Sequence, residues 1–229
     1  MKFIIIGLGN FGSALAIQLT HMGHEVIGVD GREVKTETFK EVITQTICLD
    51  CTNELAMKTL PLRECDYAVV AIGEDFGASV MTTALLKKAG VKRIVSRAID
   101  VLHQTVIETI GVDLVMQPEK ESAVQLANRL VFSGIRNSFP VASGFRIVEY
   151  QLPGRFTGLK LKEVNFIRTY GLQPITIIRN KEEKSLFSKP KQVPETSGLL
   201  SGEEVLAAGD ILLLFGSDKA IADLAGRDE

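Results

Sequence analysis

The sequence predicts an α/β chain, with a doubly wound parallel sheet followed by a smaller α+β domain. Three observations carry this expectation. Short apolar runs alternate with helical patterns from residue 3 to residue 117. A glycine-rich turn joins the first apolar run to the first helical pattern. Beyond about residue 139 the alternation stops, and strand-like runs follow with little helix between them.

The elements follow in order. Phe3 to Ile6 is a short apolar strand. Asn10 to Met22 is a helix, because Phe11, Leu15 and Leu19 recur at i, i+4 and i+8, and Gly23 stops it. Glu25 to Val29 is the second strand, Arg32 to Lys40 a helix and Gln45 to Leu49 the third strand. Asn53 to Leu60 is a short helix that Pro61 cannot continue. Tyr67 to Ile72 is apolar almost throughout, as suits a parallel strand buried on both faces. Asp75 to Ala89 is a helix closed by Gly90, Arg93 to Ser96 a strand, Asp100 to Ile110 a helix closed by Gly111, and Asp113 to Met116 a sixth strand. Repeated β-α-β units with right-handed crossovers give the strand order 3-2-1-4-5-6. Glu119 to Ser133 is one more helix. Arg146 to Leu152, Gln173 to Arg179 and Ile211 to Phe215 read as strands, Lys181 to Glu204 is polar with Pro190, Pro194 and Gly198, and Ala220 to Ala225 is a closing helix. The domains expected are residues 1–117, a crossover helix and linker over 118–138, and residues 139–229.

Composition narrows the function. Of 229 residues 45% are hydrophobic, enough for a buried core and too many for a disordered chain. With 26 basic and 28 acidic side chains, there is no basic excess to point to nucleic acid. The longest apolar runs, such as Ile211 to Phe215, fall far short of the ~18 residues of a membrane span. Lys2, Phe3 to Ile6 and Ala14-Leu15-Ala16 resemble a signal peptide, but Gly7, Gly9, Asn10 and Gly12 interrupt it, so a cytoplasmic chain is expected. Three cysteines, Cys48, Cys51 and Cys65, make no disulfide framework. Cys48 and Cys51 form a CxxC without a second such pair. His21, His24 and His103 do not complete a zinc set, which leaves two thiols at a strand end.

The strongest motif is Gly7-Leu8-Gly9-Asn10-Phe11-Gly12. A GxGxxG alone is weak evidence, but this one follows a strand, opens a helix and lies 18 residues before Asp30 at the end of the second strand. In a Rossmann-type domain the first glycine permits the tight turn. The second lets backbone approach a pyrophosphate, and the third lets helix pack close to strand. Unbonded N–H groups and the dipole at the helix start favour phosphate charge. Asp30 suits ribose hydroxyls and repels a 2′-phosphate, with Arg32 close enough to blur that preference. No GxxxxGK[ST] occurs, so bound ATP would lack the lysine and magnesium-holding hydroxyl of a P-loop. Tyr67, Tyr150 and Tyr170 have no lysine four residues on, and no proton-transfer pair is legible, which argues against a dehydrogenase. An NAD-dependent oxidoreductase and a regulator of another cation transporter remain as alternatives.

The chain resembles the regulatory subunits of Trk/Ktr potassium-uptake systems, in which an RCK (KTN) domain precedes an RCK-C domain. The resemblance rests on Gly7 to Ser13, Val26-Ile27-Gly28-Val29-Asp30, Asp50-Cys51-Thr52, Ala71-Ile72-Gly73, Gln117-Pro118-Glu119-Lys120 and Ala208-Gly209-Asp210-Ile211-Leu212. It implies a cytoplasmic, non-enzymatic gating subunit, peripheral on the inner face of the membrane. Such a subunit binds ATP, ADP or NAD(H) and forms dimers that build a ring, an octamer, under a membrane potassium channel or transporter. By the resemblance, Gly7, Leu8, Gly9, Asn10, Phe11, Gly12, Asp30, Gly31 and Arg32 hold phosphate and ribose. Asp50 and Cys51 flank the adenine, Ala71, Ile72 and Gly73 line the cleft floor, and Arg97 lies near the phosphates. Glu119 opens its helix, where a carboxylate suits the dipole. The resemblance adds that it can hold a divalent cation or sodium at the dimer seam. One residue departs from the pattern: Asn10 stands where several ATP-responsive members carry arginine. Asparagine cannot neutralise a γ-phosphate, which leaves NAD(H) or AMP open beside ATP and ADP. Finally, the helices Asp100 to Ile110 and Glu119 to Ser133 carry apolar residues around more than one core-facing stripe, so they are either fully buried or in an interface, and a homodimer through them is expected.

Overall fold

A computed structural model describes residues 1–183 and 191–226. The chain divides into two compact units, Met1–Lys120 and Glu121–Glu229. The first is built from β1 (Lys2–Ile6), α1 (Asn10–His21), β2 (Glu25–Asp30), α2 (Glu33–Phe39), β3 (Gln45–Cys48), α3 (Glu54–Met57), β4 (Tyr67–Val70), α4 (Phe76–Lys88), β5 (Ile94–Arg97), α5 (Val101–Ile110) and β6 (Leu114–Met116). Helix α6 (Pro118–Val131) begins at its end. The six strands lie in the order β3-β2-β1-β4-β5-β6, and every neighbouring pair is parallel. This is the doubly wound order that the repeated β-α-β pattern predicts.

Alternation along β1 and β4 builds the two layers. Ile4, Ile6, Ala68 and Val70 point to one side and pack with Met57, Leu86 and Ile94. Phe3, Ile5 and Val69 point to the other and pack with Leu8, Ala16 and Val95. Each buried aliphatic side chain contributes ~1.5–3 kcal/mol, so a strand apolar at every position is held from both faces. Short polar side chains start the helices. Asp75 accepts from the Ala78 N–H at 2.9 Å, and Asp100 from the His103 N–H at 2.7 Å. Each cap is worth ~1 kcal/mol.

The second unit holds β7 (Ile135–Ala142), β8 (Phe145–Gln151), α7 (Leu161–Val164), α8 (Phe166–Tyr170), β9 (Gln173–Glu183), β10 (Lys191–Thr196), β11 (Ile211–Ser217) and α9 (Asp218–Ala225). Its five strands run antiparallel in the order β10-β9-β11-β8-β7. Val148, Tyr150, Ile177, Leu212 and Leu214 of the sheet pack against Leu161, Phe166, Ile221 and Leu224 of the helices. Two strands go beyond the sequence expectation, and both lie at sheet edges. β7 carries Pro140 and β10 carries Pro194, and an edge strand tolerates a residue that has no N–H for the ladder. The short helices α7 and α8 were likewise not expected. They meet at Asn165, in the left-handed region at φ 48, whose side chain accepts from the Arg168 N–H. Of the polar stretch Lys181 to Glu204, residues 184–190, Pro190 among them, lie outside the described residues.

Candidate functional site: a nucleotide-sized cleft at the carboxyl ends of the strands

The glycine turn is positioned by the strands beside it. The Gly7 N–H bonds to the Val29 carbonyl at 2.7 Å, and the Leu8 N–H to Asp30 Oδ2 at 2.9 Å. Gly7 sits at φ +96, where a Cβ would meet the Ile72 backbone nitrogen at 3.1 Å. A Cβ on Gly12 would lie 1.9 Å from the Gly7 carbonyl oxygen, so α1 can start this close to the turn only with glycine there. Around Gly9 the opposite holds: a Cβ would have nothing within 4 Å. The first bond of α1 runs from the Ser13 N–H to the Gly9 carbonyl at 3.0 Å. The N–H groups of Asn10, Phe11 and Gly12 therefore precede the helix's own ladder, at its positive end. No side chain caps Gly9. This is the open backbone and local field that a pyrophosphate needs.

Asp30 ends β2 and is nearly buried, 6% exposed. Besides Leu8 it accepts from the Arg32 N–H at 2.9 Å and from Arg32 Nε at 3.1 Å. Burial pushes its carboxyl up, but the Arg32 guanidinium and the N–H groups of Arg32 and Leu8 outweigh that and hold it below the usual carboxylate range. A carboxylate fixed in its charged form at this point can accept from ribose hydroxyls. Asp50 accepts from the Thr52 N–H and hydroxyl, which hold its carboxyl low. The Cys51 thiol is pushed up to about 12 by burial and by the nearby Asp50 and Asp30, so it stays protonated and lines the cleft as an apolar group.

Across the turn, Ala71, Ile72 and Gly73 leave β4, and Arg97 ends β5. The Arg97 guanidinium lies against Gly73, where a Cβ would meet Nη1 at 2.3 Å. Its Nη2 pairs with Glu119 Oε1 in the first turn of α6, and its Nε is buried with no partner.

One cavity of about 660 Å³ joins these residues, within the range of small-molecule sites. Gly7, Gly9, Asn10, Phe11, Asp30, Gly31, Arg32, Asp50, Cys51, Ala71, Ile72, Gly73, Arg97 and Glu119 all line it. Leu8 and Gly12 do not. The Leu8 side chain is fully buried in the core beneath the turn, where a Cβ on Gly28 would touch it, and Gly12 acts by close packing. The sequence reading missed Ile6, Lys35, Leu49, Thr52, Glu74, Asp75, Ala78 and Thr82, which also line the cavity. Ile6, Leu49, Thr52, Glu74 and Asp75 lie within two residues of a residue it did name, so the strand-end loops taken whole would have found them, whereas Lys35 comes from α2 and Ala78 and Thr82 from α4. Among the described residues no three His, Cys, Asp or Glu side chains gather as a metal site. With its carboxylate on Arg97, Glu119 by itself does not fit a divalent ion.

Residues 3–118 match the model of the TrkA-N domain. Over 216 residues the chain is 31% identical to the Ktr system potassium uptake protein C of Bacillus subtilis (strain 168), covering 94% of this chain and 92% of that protein. It is similar in fold to the GsuK RCK domain, with a TM-score of 0.65 at 16% identity over 98% of this chain, and to the GsuK channel bound to NAD, with a TM-score of 0.62 at 15% identity over 97%. The chain spans 47% and 38% of those two structures. With the glycine turn, Asp30 and the 3-2-1-4-5-6 sheet in place, the chain belongs to the TrkA-N domain family and, over nearly its whole length, to the Ktr potassium-uptake proteins within it.

Proposed function

We propose that this protein is a regulatory, gating subunit of a potassium-uptake system, which binds an adenine nucleotide in the cleft and passes the occupancy of that cleft to a membrane partner. The observation that carries the reading is the cleft itself: an uncapped helix start, an open Gly9 and a charged Asp30 on one wall. The potassium-uptake relative supports the partner, and the NAD-bound GsuK structure supports a nucleotide. No helix among the described residues is long and apolar enough to cross a membrane. The reading therefore places the chain on the inner face of the membrane, held there by the channel or transporter subunit. A regulatory role, in place of an oxidoreductase, agrees with the relative and with the lack of a legible proton-transfer pair.

Assembly is part of the proposal. α6 has no buried residue, and Leu130 and Val131 are 78% and 72% exposed. On α5, Val101 and Leu102 are 74% and 67% exposed. Apolar side chains concentrated in this way mark an interface, and a homodimer through these helices, built into a ring, covers them. Nucleotide drives such a ring only by binding two of its shapes unequally. A ~100-fold difference supplies ~2.7 kcal/mol per site. A cation at Glu119 would need oxygens from the bound phosphates or a second protomer.

The test is growth on limiting potassium of a strain lacking its own regulatory subunit, supplied with this chain and its membrane partner. Rescue by the wild-type chain and not by Gly9→Val supports the reading. Equal rescue without the chain overturns it.

A further inference from the structure

A second cavity lies in the first unit, apart from the cleft. It measures about 550 Å³, within the range of small-molecule sites. Its walls are α3, the turn from Leu60 to Glu64 and the end of α4. It shares no lining residue with the cleft. α4 serves both: Thr82 lines the cleft and donates its hydroxyl to the Cys51 carbonyl at 3.3 Å, whereas Leu85 and Ala89, one and two turns on, line the second cavity.

The lining sorts into an apolar floor and a charged rim. Met57, Leu60 and Leu62 are buried, and Leu85 packs beside them. A methionine in such a floor adapts to the shape of what it meets. At the rim stand Lys58, Arg63 and Lys88 against Glu54 and Glu64, three cations to two acids, a surplus of one positive charge. Glu54 serves two lysines. Both of its oxygens accept from Lys88 Nζ at 2.9 Å, and Lys58 Nζ lies 3.5 Å from Oε1. Glu64 faces Lys2 at 3.7 Å, a cation outside the lining. Arg63 pairs with no carboxylate among the described residues.

We propose that this cavity is a second small-molecule site, and that it takes an amphipathic monocarboxylate, with the apolar body on the floor of Met57, Leu60, Leu62 and Leu85 and the carboxylate on Arg63. The planar guanidinium fork of an arginine matches a carboxylate, and this one has no partner of its own to give up. One negative charge matches the surplus at the rim. A phosphate monoester or a di-acid brings further charge, which Glu54 and Glu64 repel. A wholly apolar ligand leaves Arg63 unused. The space is already open between α3 and α4, so the ligand's methylene groups leave water without displacing a core side chain.

The test is calorimetric titration of the full chain with octanoate and with its uncharged analogue octanamide, for wild type, Arg63→Gln and Ala89→Leu. Arg63 is exposed, and leucine suits the helical backbone of Ala89 at the end of α4, so both variants should melt like wild type. The wild-type protein is expected to bind one octanoate per chain, and octanamide ~5-fold more weakly, the scale of an exposed charge-assisted hydrogen bond. Added salt should narrow that gap. Arg63→Gln should weaken octanoate ~5-fold and leave octanamide unchanged. Ala89→Leu, which fills the cavity, should weaken both at least ~10-fold. No saturable octanoate binding to the wild-type protein refutes the site. Equal affinity for octanoate and octanamide, or undiminished octanoate binding in Arg63→Gln, refutes the carboxylate on Arg63. Undiminished binding of both ligands in Ala89→Leu places them elsewhere and overturns the proposal.

Discussion

Two glycines three positions apart, Gly9 and Gly12, do opposite work in the phosphate turn, and that makes them separable by substitution. An added Cβ at Gly12 lies 1.9 Å from the Gly7 carbonyl oxygen and 3.0 Å from the Ala71 Cβ. Neither neighbour is a flexible side-chain end, so Gly12→Ala must push α1 away from β1. Overpacking of this kind costs ~1–3 kcal/mol, and contact with backbone puts it at the upper end. In a chain of this size that lowers Tm by roughly 6–12 °C. Gly9 has φ −72 and ψ −169, which any residue adopts, and nothing lies within 4 Å of its added Cβ. Gly9→Val should therefore change stability by less than ~1 kcal/mol. Its methyl groups occupy the space a pyrophosphate needs, so nucleotide affinity should fall at least ~10-fold, or ~1.4 kcal/mol. Differential scanning fluorimetry with and without nucleotide reads both effects. The expected pattern is a Gly12→Ala protein that melts early and a Gly9→Val protein that melts normally but gains nothing from nucleotide. Wild-type melting of Gly12→Ala, or an undiminished nucleotide shift in Gly9→Val, would falsify the account of the turn.

Three other outcomes are expected. Asp30→Asn should cost ~1–2 kcal/mol at pH 7 in urea unfolding, by weakening the bonds to Leu8 and Arg32. Because the folded carboxyl titrates below its unfolded value of ~3.9, the wild-type advantage should be complete above that pH and vanish as pH falls through the lowered value; an advantage that persists in strong acid contradicts this. A thiol reagent under native conditions should label the exposed Cys48 quickly, while Cys51 and Cys65, both buried and with their thiols pushed up, stay unmodified; mass spectrometry showing fast labelling of Cys51 would sink this. Leu130→Glu should leave the melting of isolated subunits unchanged and convert a dimer to monomer in light scattering; an unchanged particle mass would remove α6 from the interface.

The first unit was legible because its signals are local and mutually consistent. Apolar runs at β1 and β4, glycine stops at Gly23, Gly90 and Gly111, and caps at Asp75 and Asp100 each act within a few residues. The motif likewise specified the turn, and Asp30 followed from its spacing. The second unit was harder to read. β7 and β10 are edge strands with a proline and a weak apolar pattern, so it is pairing with the neighbouring β8 and β9, invisible in composition, that makes them strands. In the cleft, Leu8 shows the converse limit: a residue inside the motif whose side chain belongs to the core, because the turn backbone alone faces the cavity. Nor could spacing show that Arg97 and Glu119 meet, since their pairing depends on β5 and the start of α6 lying side by side.

The central claim is that occupancy of this cleft sets potassium movement through a partner, and flux measures it directly. Vesicles containing the membrane subunit and this chain, loaded for potassium flux and assayed with and without a dinucleotide or ADP, should show a nucleotide-dependent rate. With Gly9→Val in place of the wild-type chain, the rate should become indifferent to nucleotide while the complex stays assembled. A flux that ignores nucleotide with the wild-type chain, or one that responds equally with Gly9→Val, contradicts the account.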